Sequence, residues 1–193
     1  MSLKNIRQMY STINDLLKKL NLVRDPEKAL SIISHTAYKY IGFRKNNPSK
    51  ILKLNEKDQY ACGFFLILNK NKQILIAPQN YGKEQNYLII NTNLGHPAWV
   101  IKNKQPLLLK NTDEHESFVK ILATFRAGSV VYSPMLWGNK FLGQIICASE
   151  ARNVMDEASL NFLIILSNIA SAEWISKNGE KRLKLLEKKY NLN

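Results

Sequence analysis

Three histidines and two cysteines are the side chains of this sequence best suited to metal binding or nucleophilic chemistry. His35, His96 and His115 are far apart along the chain, and Cys62 and Cys147 do not stand at metal-ligand spacing from any of them. We therefore expect no metal site. His35 lies off the apolar stripe of a predicted helix and His96 at the start of another, so both are expected to be structural.

The sequence contains no other recognisable catalytic arrangement. No nucleophile has a recognisable base, and the eight glycines are scattered rather than grouped into a phosphate-binding loop. Asp113, Glu114 and Glu116 form an acidic group in a predicted loop, where such side chains are usually solvated although they could flank a cationic ligand. We predict that the chain is not an enzyme.

The charge balance is strongly basic, with 28 Lys and Arg against 15 Asp and Glu and a net charge of +13. The excess comes from 22 Lys, against only 6 Arg, alongside 21 Asn and 19 Ile. This mixture is typical of AT-rich codon usage, and arginine, whose planar fork matches phosphate, is scarce. Composition bias therefore explains the charge, and a nucleic-acid partner is not favoured.

Length and composition predict one domain with a full hydrophobic core, since 193 residues include 45% hydrophobic residues. The longest unbroken apolar runs are five residues, Phe64–Leu68 and Phe162–Leu166. A membrane span needs about twenty, so none is predicted. No signal peptide opens the chain, and we expect a cytoplasmic protein in which both cysteines are thiols.

Helical periodicity is clearest at the two ends of the chain. Spacings of three and four residues predict a first helix with one apolar seam, made of Leu3, Ile6, Tyr10, Ile13, Leu17 and Leu20. Asp25-Pro26-Glu27 predicts the start of a second helix that ends at Gly42 and buries Tyr40. Asp156 should cap a long helix whose register continues through Leu183 and Leu186. We therefore expect that helix to pass through Asn178-Gly179 without a break.

The middle of the chain reads as strands separated by turns. Two hairpins are predicted, Tyr60–Leu68 with Gln73–Ala77 and Ser129–Met135 with Phe141–Ala148. Shorter elements are expected at Tyr87–Ile90, Gly95–Lys102 (helix), Pro106–Leu109 and Glu114–Phe125 (helix).

Five segments between Gly95 and Ala172, taken in order, resemble the GAF domain family, which comprises small-molecule sensor modules related to PAS domains. They are Gly95–Ile101, Gln105–Asp113, Ser129–Met135, Phe141–Ile146 and Asp156–Leu160. Residues 25–90 fit the first helix and hairpin of the family by pattern only.

The resemblance implies an α+β fold with a central antiparallel sheet of about six strands. The N- and C-terminal helices would lie on one face, and the segment Tyr81–Phe125 would roof a pocket on the other. The implied organisation is an N-terminal helix at 1–24, a GAF-like domain at 25–177 and a basic helical extension at 178–193.

The resemblance also places candidate ligand contacts in the pocket, namely Trp99, His115, Phe118, Arg126 and Tyr132. Arg126 could bind a carboxylate or phosphate through both guanidinium branches, or could simply complement the C-terminal dipole of a helix. Trp99 and Phe118 could equally belong to the core, because a small domain buries its aromatic side chains in any case.

Known subclasses of the family do not fit the residues of this sequence. Bilin-binding members have a cysteine commonly followed by His, whereas Cys147 and Cys62 are followed by Ala and Gly. Cyclic-nucleotide members have Phe where Arg152 stands and Asn-Lys where Ser149-Glu150 stands. The cysteine motif of members that reduce free methionine sulfoxide is not visible. The ligand is therefore unidentified, and a bilin or cyclic nucleotide is not expected.

The sequence thus favours a sensor domain that binds a small molecule and signals to an output protein in trans through its terminal helices. Those helices should form a homodimer along the first-helix seam together with Leu183 and Leu186. Two alternatives stay open: a small enzyme of the same fold with thiol chemistry on free methionine sulfoxide, and a basic nucleic-acid-binding protein.

Overall fold

The computed structural model describes residues 3–42 and 47–190, with side chains from Arg7 onward. The elements in chain order are α1 Leu3–Asn21, α2 Pro26–Tyr40, β1 Tyr60–Ile67, β2 Lys72–Gln79, β3 Ile89–Asn91, α3 Gly95–Asn103, β4 Leu107–Leu109, β5 Ser129–Trp137, β6 Lys140–Ser149, α4 Glu157–Ser176 and α5 Gly179–Lys189. Short 3-10 turns occupy Lys83–Gln85 and Thr112–Glu114.

The six strands form one sheet in the order β3-β2-β1-β6-β5-β4, with every neighbouring pair antiparallel. Both predicted hairpins are confirmed, and the second closes at the pair formed by Trp137 and Lys140. β1 and β6 bring the two hairpins together at the centre of the sheet. The predicted α+β class and antiparallel topology are therefore correct.

Helices α2 and α4 cover one face of the sheet, and their starts follow the predicted capping. The Asp25 carboxylate accepts a hydrogen bond from the Lys28 amide at 2.8 Å, and Asp156 accepts one from the Ser159 amide at 2.8 Å. The expected burial of Tyr40 is wrong: its side chain is 41% exposed, because the apolar position at the end of α2 is taken by the buried Ile41.

Helix α4 is long and apolar enough to cross a membrane by length and composition. Five of its apolar residues are nevertheless packed in the interior, namely Phe162, Leu163, Leu166, Ala170 and Trp174. Its partners are β5 on one side and α2 on the other. Helix α4 therefore packs as a core helix of this fold.

The expectation of one continuous helix through Asn178-Gly179 is wrong. Asn178 takes a left-handed conformation with φ of 58°, and this ends α4 and re-aims the chain into α5. A Cβ on Gly179 would lie only 2.1 Å from the Trp174 ring, so this close return requires glycine. Helix α5 then buries Leu186 in the core of its own chain and pairs Arg182 with Glu27.

Helix α1 is formed as predicted, but some residues of its apolar seam are buried in the core and others are exposed. Leu20 is fully buried in the core, and Ile13 is half-buried against it. Tyr10 and Leu17 are 65% and 41% exposed. The side chains of Leu3 and Ile6, at the start of the predicted seam, lie outside the described residues.

The predicted helix over Glu114–Phe125 is wrong, because the chain from His115 to Gly128 forms no helix or strand. The buried Gln85 side chain instead binds two backbone groups of this segment. Its amide nitrogen donates to the Ile121 carbonyl at 2.7 Å, and its oxygen accepts from the Ala123 amide at 2.8 Å. The helix-like spacing of apolar residues here reflects burial of one side of an irregular segment.

Candidate functional site

The face of the sheet opposite α2 and α4 carries a second apolar cluster that surrounds a small cavity. Alternation along the strands places apolar side chains of β1, β5 and β6 on this floor, namely Phe65, Val130, Tyr132, Ile146 and Ala148. Residues 115–127, here called the roof segment, cover the floor with Phe118, Leu122 and Phe125, and Tyr81 closes one side.

The cavity is nearly filled by the protein itself. Its free volume is about 30 Å³, enough for one or two water molecules. Pockets that hold drug-sized ligands measure about 300–1,000 Å³. Leu122 and Phe125 occupy the space that such a ligand would need, since they are only 7% and 3% exposed. A ligand larger than water therefore requires the roof segment to move.

The roof segment is closed at its base by two hydrogen bonds. The Thr112 hydroxyl donates to the Ala127 carbonyl at 2.6 Å, and the Thr112 amide donates to the Gly128 carbonyl at 2.8 Å. Between these points the chain is tied mainly by Gln85. A loop with joined ends and inward-facing side chains is a compact surface loop of the kind that often carries function.

Two histidines meet where the roof segment begins. The rings of His96, in α3, and His115 pack edge to face with centroids 5.2 Å apart, and Phe118 lies 5.8 Å from His96. Burial, together with the charge of His115, lowers the pKa of His96 below its ordinary value of 6.5. Within the described part of the chain, His96 Nδ1 is buried without a hydrogen-bond partner. Protonation of His96 would therefore disfavour this contact.

A cluster of charged side chains fixes the residues just before the roof segment. The Asp113 carboxylate accepts from Arg152 Nε at 2.9 Å, lies 2.7 Å from Lys53 Nζ and also pairs with Arg126. Arg152, which is 2% exposed, also donates to the carboxylate of Glu56. Hydrogen bonds from Arg152 and Lys53 hold the pKa of Asp113 well below its ordinary value of 3.8. The cluster joins loop 51–58, the base of the roof segment and the loop after β6.

The Arg126 guanidinium, a candidate for anion binding, is engaged within the chain. It donates to Asp113 and lies 5.5 Å from the Phe118 ring centre, over the roof segment. It does not complement a helix dipole, because residues 115–128 form no helix. Arg126 thus links the C-terminal end of the roof segment to Asp113, two residues before its start.

The five candidate pocket residues divide into three groups. Phe118 and Tyr132 line the cavity, and burial raises the pKa of Tyr132. His115 and Arg126 lie at the ends of the roof segment. Trp99 does not line the cavity and is 43% exposed on α3.

The two cysteines lie together on the face of the sheet opposite the cavity. Cys62 and Cys147 are directly paired across β1 and β6, with Sγ atoms 2.8 Å apart. Both are thiols, buried in the cluster between the sheet and the helices. They therefore do not face the cavity.

Sequence reasoning missed three residues that shape the site. Gln85 and Arg152 are buried polar side chains, and Glu56 lies in a loop that the sequence marks only as basic and polar. No local motif identifies them. The one available signal was the arginine at position 152, which the resemblance marked as a departure from the family pattern.

No family model and no curated protein matches the sequence. Solved structures do match. The GAF domain of an Acinetobacter phosphoenolpyruvate-protein phosphotransferase is 16% identical with a TM-score of 0.71, and the match covers 93% of this chain and 97% of that one. Its counterpart from Coxiella burnetii is 16% identical with a TM-score of 0.73, covering 90% and 96%. A free methionine-R-sulfoxide reductase from Neisseria meningitidis is 10% identical with a TM-score of 0.71, covering 93% and 96%.

Proposed function

We propose that this chain, which has the GAF fold, is a regulatory domain that binds a small, mostly apolar molecule beneath the roof segment. The observation that carries the proposal is an apolar cavity covered by a segment without helix or strand. Such a cover can move at lower cost than a helix or strand, because few backbone hydrogen bonds must break.

The lining supports an uncharged ligand. Apart from Lys120, whose side chain is exposed, the described residues that line the cavity carry no charge. The hydroxyl groups of Tyr81 and Tyr132 are the polar groups on the side and floor. A ligand with an apolar body and one hydrogen-bonding group suits this arrangement, since apolar pockets use a few polar groups for orientation.

The charged cluster offers a route from the cavity to the helices. Asp113 stands two residues before the roof segment, and Arg152 stands four residues before Asp156, which caps α4. Movement of the roof segment would alter the Asp113–Arg152 contact and hence the loop that leads into α4. We propose that ligand binding reaches an output protein in trans by this route.

Assembly through the terminal helices is also a proposal, and the structure limits which residues can take part. Leu20 and Leu186 are buried in one chain and unavailable to a second copy in this conformation, and Leu183 is half-buried. Tyr10 and Leu17 remain exposed on α1. A homodimer would therefore use the outer side of α1.

We favour a non-catalytic, cytoplasmic binding protein over a thiol enzyme. The fold is shared with free methionine-R-sulfoxide reductases, so fold alone does not separate the two. The argument is the position of Cys62 and Cys147, which lie under the helices and away from the cavity. The nucleic-acid alternative rests only on net charge and predicts binding that falls steeply with salt.

The proposal is tested with benzene as a small apolar probe and thermal denaturation as the readout. Benzene should raise the denaturation midpoint of the wild-type chain, and Ala148→Leu, which fills the cavity floor, should abolish the rise. Ala123→Leu, an equal change at an exposed position, should leave it intact. No stabilisation of the wild type, or stabilisation that persists in Ala148→Leu, would contradict binding at this site.

A further inference from the structure

The cysteine pair at the centre of the sheet has a geometry suited to reversible cross-linking. Cys62 and Cys147 are directly opposite in the β1–β6 ladder, with Sγ atoms 2.8 Å apart. Directly opposed residues of antiparallel strands have Cα atoms about 4.5–5.5 Å apart, which falls within the range of about 4.4–6.8 Å that disulfides span. The two sulfurs can therefore join with little movement of the strands.

We propose that Cys62 and Cys147 form a peroxide-sensitive pair whose oxidation to a disulfide locks β1 to β6. This inference does not depend on whether the cavity binds a ligand. It also differs from catalysis, because the pair is the group modified and no second substrate is turned over.

The chemistry uses one hydroperoxide for each disulfide. Hydrogen peroxide oxidises the sulfur of one cysteine to a sulfenic acid, and its other oxygen leaves as water. The sulfur of the second cysteine then attacks the sulfenic sulfur, the S–S bond forms, and the hydroxyl group leaves with the thiol proton as a second water. Two thiols and one peroxide thus give one disulfide and two waters.

Access to the pair is restricted but has a structural route. Cys62 is 0% and Cys147 2% exposed, so even a reagent as small as peroxide must reach them through local opening of the sheet. Beside Cys62 the β1–β2 ladder is irregular, since Cys62 opposes Gln79 while Phe64 opposes Ile76. The additional residue lies on β2, where Ala77 has φ of 54°. Such a bulge interrupts the ladder and marks the place where it can open locally.

A disulfide at this position would also affect the opposite face of the sheet, where the cavity lies. The neighbours of the cysteines are paired as well, Ala61 with Ala148 and Gly63 with Ile146. Ala148 and Ile146 form part of the cavity floor. Oxidation would therefore stiffen the two central strands at the positions that support the cavity.

The test begins with the reduced 193-residue chain under native conditions. Hydrogen peroxide is added, remaining thiols are alkylated in denaturant, and cysteine peptides are mapped by mass spectrometry. We expect a Cys62–Cys147 linkage within one chain and a denaturation midpoint higher by roughly 5–10 °C, because the disulfide closes a long loop. Dithiothreitol should reverse both changes.

Cys62→Ser and Cys147→Ser provide matched controls. Each should stop at a sulfenic or higher oxide of the remaining cysteine and gain no thermal stability. Disulfides between two chains, or wild-type oxidation to sulfinic acid without an internal linkage, would overturn the proposal. The wild-type comparison of oxidised and reduced protein decides the matter even where a serine variant fails to fold.

Discussion

At the scale of single residues, the most consequential side chain is the buried guanidinium of Arg152. It holds Glu56 and Asp113 from two different loops and also donates to the Glu150 carbonyl at 3.0 Å. A buried charge of this kind contributes little net stability when fully paired, but losing one partner is costly. The cluster therefore fixes the loops in one arrangement more than it adds stability.

Replacing Arg152 by Met should lower the free energy of unfolding by about 2–4 kcal/mol, because two carboxylates lose their central cation. Arg126→Met is the matched control. Its side chain is 42% exposed, so its loss should cost less than about 1 kcal/mol. Urea denaturation measures both, and equal costs for the two variants would contradict the central role of Arg152.

The histidine contact predicts a pH dependence of stability. His96 has a pKa below its ordinary value of 6.5 in the folded chain, so the unfolded chain binds more protons as the pH falls through that value. Stability from neutral His96 is therefore present above pH 6.5 and lost below it. His96→Phe should flatten the dependence between pH 7 and 5, measured by urea denaturation. His35→Gln, at an exposed position, should not, and an unchanged slope in His96→Phe would refute the assignment.

At the scale of elements, the sequence correctly predicted the helix starts and hairpins that depend on neighbouring residues. The aspartates at positions 25 and 156 cap their helices as predicted, and both hairpins form around their turns. These features depend on residues close in sequence, so they can be predicted without knowledge of the tertiary structure.

The two wrong elements depend on partners that are distant in sequence. The roof segment has helical spacing, yet Gln85, more than thirty residues away, binds its backbone in an irregular form. The register from α4 into α5 is continuous, yet Asn178 turns the chain and Leu186 enters the core.

Phe118 and Tyr132 could be placed at the site by resemblance, whereas Gln85, Glu56 and Arg152 could not, because only tertiary contacts give them their roles.

Gln85→Ala should loosen the roof segment. Two hydrogen bonds to its backbone would be lost, which costs about 1–3 kcal/mol when a buried group is left unsatisfied. Amide hydrogen exchange at Ala123 and its neighbours should accelerate, while α4 should keep its protection. Gln105→Ala, at an exposed position, is the control, and equal exchange in both variants would show that Gln85 does not hold the roof segment.

At the scale of the whole molecule, the outer side of α1 is exposed and carries apolar side chains. Tyr10 and Leu17 are exposed there, and Leu22 just beyond the helix is 86% exposed. Tyr10 and Leu17 are seven residues apart and so lie on the same side of α1, where exposed apolar side chains can form an interaction surface. The net charge of +13 is compatible with this, because its lysines are spread along the sequence.

Sedimentation of the full chain tests the proposed homodimer. The wild type should sediment as a dimer at micromolar concentration, and Tyr10→Glu combined with Leu17→Glu should yield a folded monomer. Leu54→Glu, at a loop position that is 92% exposed, should remain dimeric. A wild-type monomer would contradict assembly through α1.

The central claim is that a molecule entering the cavity moves the roof segment and, through Asp113 and Arg152, the loops beyond it. Amide hydrogen exchange of the wild-type chain with and without benzene measures this most directly. The account predicts changed exchange in residues 115–127 and in loop 51–58, with β2 and β3 unaffected. Unchanged exchange across the roof segment, in protein that benzene demonstrably stabilises, would contradict it.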